Sequence, residues 1–148
     1  MLAGRISDLM EETYKVLECK NHCATACHDC LKHYWNQRVQ NLLDRHLAKQ
    51  LLDWSKNKKM ADQISYDRQV ALIKGIKEMA SLEEAGFDIV FESNKIYGVK
   101  GGRKTEICVH PAMWNTDDRM IPNGAIPISD KIIVNSMPYA YSVIRNSL

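Results

Sequence analysis

The chain has 148 residues, enough for one domain with a real core, and 45% of them are hydrophobic against 26% charged, the balance of a soluble globular protein. The net charge of +2 is too small to imply nucleic acid by itself. No apolar run approaches the ~20 residues of a membrane helix, and the first sixteen residues, MLAGRISDLMEETYKV, place acids where a signal peptide keeps its apolar core. The expectation is a cytoplasmic protein with no membrane partner.

Ile6, Leu9, Met10, Thr13, Tyr14 and Leu17 fall at helical spacing and predict an amphipathic helix over residues 5–18. After an intervening cysteine-rich stretch, Leu43, Leu47, Leu51 and Trp54 recur every three or four residues, with Val39, Leu42 and Leu52 widening the stripe. They predict a second, long helix over 34–55. The polar, basic SKNKKMADQ reads as a linker. Ser65 is placed to cap a third helix carrying Val70, Ile73, Ile76 and Met79, with Gly86 as its stop.

Beyond Gly86 the period changes from helical to alternating. FDIVFES and KIYGVK predict a hairpin turning at Ser93–Asn94, and TEICVH a third strand. PAMWNTDDRMIPNGAIPISD, with three of the four prolines, reads as loop, and KIIVN as a fourth strand. Ser136 and Pro138 open a last helix through about Asn146. The predicted fold is α+β: N-terminal helices clamped by a metal site, then a small, mainly antiparallel sheet with a C-terminal helix. Residues 1–148 are expected to form a single domain, with a helical metal-binding part over 1–60 and a helix plus small sheet over 61–148.

The intervening stretch is CKNHCATACHDC, with Cys19, Cys23, Cys27 and Cys30 at C-x3-C-x3-C-x2-C spacing. A reducing cytosol disfavours disulfides, and a disulfide framework would spread its cysteines along the chain. On one straight helix these four would be strung over about 16 Å, at about 1.5 Å per residue. Thiolates around one tetrahedral zinc, with Zn–S bonds of about 2.3 Å, lie only about 3.8 Å apart. A shared ion therefore requires non-helical backbone within residues 20–29, although no Gly or Pro stands there. Zn²⁺ held by four thiolates is the leading reading, with His22 or His28 able to replace one ligand. A four-cysteine iron–sulfur cluster is the alternative. The C-x3-C-x2-C of Cys23, Cys27 and Cys30 also matches a radical-SAM cluster motif, but helices and no repeated strand–helix units follow it.

Past the cysteines, Lys32, Tyr34, Trp35, Arg38, Arg45 and Lys49 mix cations with aromatic rings, as a nucleic-acid groove does. A solvated helix face explains the same residues. Gly98, Gly101 and Gly102 before Arg103 and Lys104 read as a strand connection, and Cys108 as a buried small residue. His110 reads as a satisfied structural histidine. Asp88, Glu92, Glu106, Asp117 and Asp118 are the carboxylates available to a metal-dependent nuclease, but no E-x-K follows where it would need its lysine.

The run CHDCLKHYWNQRVQNLLDRHLAKQLLDW resembles the four-cysteine zinc-binding domain at the C-terminus of MrfA-type DEAD/DEAH-box helicases and of related phage-defence proteins of the DISARM type. Cys27, Cys30, Leu31, Tyr34, Asn36, Gln37, Leu42, Leu43, Asp44 and Arg45 carry the resemblance, and TEICVHPAMW and KIIVNSMPYAYSVIR extend it more weakly. The resemblance implies a zinc-stabilised accessory module that engages DNA or a partner subunit, with helicase domains or a helicase subunit as its partner. The chain contains no G-x-x-x-x-G-K-[ST] phosphate loop and no DEAD/DEAH-like acidic motif, so no ATPase is expected of it alone.

Overall fold

A computed structural model of the chain describes residues 2–83, 86–115 and 120–148. The chain divides into two compact units, Met1–Ala61 and Asp62–Leu148. Asp117 and Asp118 lie outside the described residues. No helix among the described residues is long and apolar enough to cross a membrane.

The first unit contains helix α1 (Leu2–Glu18), a 3-10 segment (Tyr34–Leu42) and helix α2 (Arg45–Asn57). The expected long helix over 34–55 is thus two elements. Two local interactions break it. Asn36 leaves the helical region at φ −109°, ψ 18°, and Leu43 is extended. Asp44 then starts a new helix: its carboxylate accepts from the N–H groups of His46 and Leu47, at 2.9 and 3.0 Å. A carboxylate N-cap satisfies donors that a continuing helix would bond internally. α2 ends on Lys58 in the left-handed region (φ 55°), so the expected linker begins a turn later than its composition indicates. The helices α1 and α2 are joined by Tyr14, whose hydroxyl donates to Asp53 at 2.5 Å. The apolar core of this unit is small: Leu17, Cys19 and Ala26 are its buried apolar residues among those described.

The second unit has a conventional core. Helix α3 (Tyr66–Leu82) buries Leu72, Ile73, Ile76 and Ala80 at intervals of three to four residues. Ser65 stands at its N-cap but its side chain makes no capping bond. α3 stops at Leu82, and Gly86, at φ +71°, leads into the sheet. Strands β1 (Phe87–Glu92), β2 (Lys95–Lys100), β3 (Arg103–His110) and β4 (Ile126–Ser129) stand in that order. The first three are antiparallel and β4 runs parallel to β3. Ser93 and Asn94 (φ 49° and 59°) make the first hairpin turn, and Gly101 and Gly102 (φ 56° and 79°) the second. Both are two-residue turns of the kind that matches strand twist. Register places Ile89 opposite Gly98, Ile96 opposite Ile107, and Ile107 opposite Ile126, so one face of the sheet is a continuous isoleucine layer. Fully burying each such side chain contributes about 1.5–3 kcal/mol. Gly98 leaves room for Leu148: a Cβ there would fall 2.6 Å from a methyl of that side chain, which would have to move.

The end of the chain departs from expectation. KIIVN is the helix α4 (Asp130–Asn135), and the fourth strand is the preceding IPIS. Ser129 Oγ accepts from the Ile132 N–H at 3.2 Å and so starts a helix inside an apolar, β-branched run. Of that run only Ile133 is fully buried, the single inward face of a short helix. Pro127 is admitted to β4 because β4 is an edge strand. Helix α5 (Met137–Ser147), with Pro138 in its first turn, buries Ala140, Tyr141 and Ile144.

Candidate metal centre

α1 ends at Glu18, and the backbone turns sharply through the cysteine stretch. Cys19 and His22 both take left-handed dihedrals (φ 37° and 47°), a conformation that costs a side-chain-bearing residue free energy. The His22 N–H closes this turn on the Cys19 carbonyl at 2.9 Å. A second turn forms at Cys27–Cys30. Its backbone N–H groups at Cys30 and Lys32 donate to the Cys27 carbonyl at 3.2 and 2.9 Å. The Cys27 N–H points at Cys30 Sγ, 3.2 Å away. The break expected within residues 20–29 is therefore present, and left-handed residues make it without glycine. Asn21 ties the two turns together by donating to Asp29 at 2.5 Å.

The result is a cluster of four sulfurs. Cys19–Cys27, Cys23–Cys30 and Cys27–Cys30 are separated by 3.5, 3.6 and 3.8 Å, and all four Sγ atoms lie within 4.8 Å of one another. A disulfide needs about 2.05 Å. Tetrahedral thiolates on one zinc stand about 3.8 Å apart. The spacing thus fits four ligands around one metal and excludes bonded pairs. His22 and His28 are exposed and lie outside the cluster.

The electrostatics of Cys19, Cys23 and Cys27 also favour a cation. A hydrogen bond from the Cys23 backbone holds the Cys19 thiol down to about 6. Desolvation and the neighbouring thiols push Cys23 up to about 12, and the Cys19 and Cys30 thiols also raise Cys27 against the lowering effect of the Asp29 backbone. Cys19 ionises readily, and its presence opposes ionisation of Cys23 and Cys27. A bound divalent cation reverses that opposition.

Arg45, expected as a surface cation for phosphate, is buried at 9% exposure. Its Nε donates to the Cys23 carbonyl at 2.8 Å and its Nη1 to the Leu17 carbonyl at 3.1 Å. Its own N–H donates to the Thr25 carbonyl at 2.8 Å. One residue therefore ties the end of α1, the cysteine loop and the start of α2. Sequence reasoning missed this role. The signal was Asp44–Arg45 itself, a helix cap followed by a long donor placed beside the loop. Lys49 is half-buried, 3.7 Å from Glu18. Lys32 is half-buried, whereas Tyr34, Trp35 and Arg38 are exposed.

In the second unit the other candidates are engaged elsewhere. Glu106 pairs with Lys95 at 2.7 Å, Glu92 with Lys104, and Asp88 faces Lys77 at 3.6 Å. These cross-strand and helix–strand pairs hold the carboxylates apart. Among the described residues the cysteines form the one grouping with metal-binding spacing. His110 is buried with Nδ1 2.9 Å from the Pro111 carbonyl, the satisfied arrangement expected of it. Cys108 is half-buried rather than buried, and desolvation raises its thiol.

The chain is 31% identical over 126 residues to Druantia protein DruE of Escherichia coli (strain UMEA 4076-1). That match covers 84% of this chain and 6% of DruE, so the chain corresponds to a small part of a much larger protein. No family model matches the chain, and no solved structure does.

Proposed function

We propose that the chain is a zinc-stabilised accessory module of a DEAD/DEAH-type helicase or anti-phage defence complex, with Cys19, Cys23, Cys27 and Cys30 as the ligands. The observation that carries the reading is the convergence of four cysteine sulfurs to within 4.8 Å. Similarity to a small part of Druantia protein DruE supports a role inside a larger assembly. The module is read as no enzyme by itself, since this sequence carries no ATP-binding motif, and a closed four-thiolate set leaves the metal no open position for a substrate or water. Its work is to engage DNA or a partner subunit, with exposed Tyr34, Trp35 and Arg38 and half-buried Lys32 as the group that follows the metal-binding loop.

Zinc serves here as a structural cation. It neutralises thiolates that oppose one another and offsets the backbone strain at Cys19 and His22. A unit with so small an apolar core needs such a staple, and a structural zinc site contributes on the order of 10 kcal/mol to folding. The test is metal analysis of protein purified without added metal. One zinc per chain and no visible absorption are expected, and Cys23→Ser abolishes retention. Iron with charge-transfer absorption, or folding unaffected by a chelator, overturns the zinc reading.

A further inference from the structure

The segment after the metal-binding loop holds two large aromatic rings in water. Trp35 is 88% exposed and Tyr34 72%. Their rings meet edge to face, with centroids 5.3 Å apart and planes at 84°. Neither ring contributes core burial. Yet the backbone beneath them is held firmly by side chains. His33 N–H donates to Asn36 Oδ1 at 2.9 Å, and the Trp35 N–H donates to His33 Nδ1 at 3.2 Å. Asn36 Nδ2 reaches back to the Leu31 carbonyl at 2.7 Å. Gln40 Nε2 donates to the His33 carbonyl at 3.0 Å and lies 3.3 Å from Asn36 Oδ1. Three polar side chains thus fix a short 3-10 turn whose outward feature is an aromatic pair. A ring held this way loses little further freedom when a partner stacks on it.

Between Asp29 and Asp44 the formal charge is of one sign. Residues 31–43 contain Lys32 and Arg38 and no Asp or Glu. Neither cation has an ion-pair partner among the described residues. Tyr34, Trp35, Gln37, Arg38 and Val39 line an open hollow of about 430 Å³, within the range of small-ligand sites of roughly 300–1,000 Å³. Exposed rings beside unpaired cations are the chemistry of a stacking platform for unpaired bases, with the cations on the backbone phosphates. Duplex offers its phosphates but keeps its base faces covered.

We infer that the Tyr34–Trp35 turn is a binding site for single-stranded nucleic acid, in which bases stack on Trp35 and Tyr34 and Lys32 and Arg38 contact phosphate. This rests on the nucleic-acid arm of the proposed function and names its ligand. The full chain is titrated with a labelled dT oligomer, an rU oligomer and a DNA duplex of equal length, over a series of salt concentrations. Preference for the single strands is expected, with quenching of Trp35 emission that disappears in Trp35→Phe. Trp35→Ala is expected to weaken binding about tenfold or more, with the salt slope retained, because stacking releases no counterions. Arg38→Ala is expected to lower that slope by about 0.7.

Equal binding of duplex and single strand, unaffected by Trp35→Ala, overturns the inference while leaving nucleic-acid contact in place. Absence of any binding at low salt overturns both, and metal content, measured separately, still judges the zinc reading. Loss of a protein partner in Trp35→Ala, with oligomer binding unchanged, also overturns it and assigns the rings to a protein interface.

Discussion

Arg45 shows how one side chain can look like a ligand contact in a sequence and act as a fastener in the fold. An arginine on a helix beside basic residues reads as phosphate-binding. In the structure its guanidinium is turned inward onto the carbonyls of Cys23 and Leu17. The Leu17 carbonyl belongs to the last turn of α1, where the chain leaves the helix and internal donors run out. Charge-assisted hydrogen bonds of this kind contribute about 1.5–3 kcal/mol each. Arg45→Ala is therefore expected to destabilise the first unit by about 2–4 kcal/mol and to weaken metal retention, measured by chemical denaturation and competition with a chromophoric chelator. Arg45→Lys recovers part of the loss at most, since one ammonium lacks the fork that spans two carbonyls. Of the companion residues, Asn36 was legible as part of a resemblance and Gln40 was not singled out; their work, bracing a turn beneath exposed rings, is visible only in three dimensions.

At the scale of elements, the two departures from expectation share a cause. The stripe Leu43, Leu47, Leu51 and Trp54 predicted one helix, and IIV predicted a strand. In each place a short polar side chain at the start of the run decided otherwise. Asp44 caps α2 and Ser129 caps α4, each bonding backbone N–H groups two or three residues on. Periodicity reports which residues face the core, whereas a cap decides where an element may begin. Asp44→Ala is expected to cost about 1 kcal/mol and to fray the first turn of α2, with faster amide exchange at His46 and Leu47. Unchanged exchange there would show that burial of Arg45 alone starts the helix. The strand pattern from Phe87 to His110, in contrast, was legible down to the Ser93–Asn94 turn, because alternation and turn residues agree there; of the glycines read as one connection, Gly98 lies inside β2 and Gly101–Gly102 make the second turn.

For the whole molecule, the two units differ in what stabilises them. Asp62–Leu148 has an isoleucine layer between a sheet and its helices. Met1–Ala61 buries few apolar side chains and relies on its loop. Chelation is therefore expected to unfold the first unit and leave the second, read as lost protection confined to residues before about 60 in hydrogen exchange. The same transition is expected as the pH falls. Cys19 has a value of about 6 against an ordinary 9.0, so its thiolate contribution is present above pH 9 and lost as pH drops through 6. Cys23 and Cys27 have raised values, so the metal must displace a proton from each. Apparent metal affinity should therefore fall steeply between pH 8 and 7, by roughly a hundredfold or more, since Cys23 and Cys27 each take up a proton on release. A pH-independent affinity would show that fewer thiolates bind.

The sequence by itself determined the α+β class, the first three strands with their Ser93–Asn94 hairpin, and the need for a bend in the cysteine stretch. These follow from local properties: side-chain period, turn chemistry and the span of a straight helix against the size of one ion. Tertiary structure alone decided that Cys19 and His22 make the bend in left-handed backbone, that Arg45 faces inward, and that Trp35 faces out. The inward turn of Arg45 depends on groups distant along the chain, since a carbonyl left unpaired at the end of one helix becomes a partner only when the start of another is folded beside it. The bend and the Trp35 turn instead close on near neighbours that side-chain period does not report.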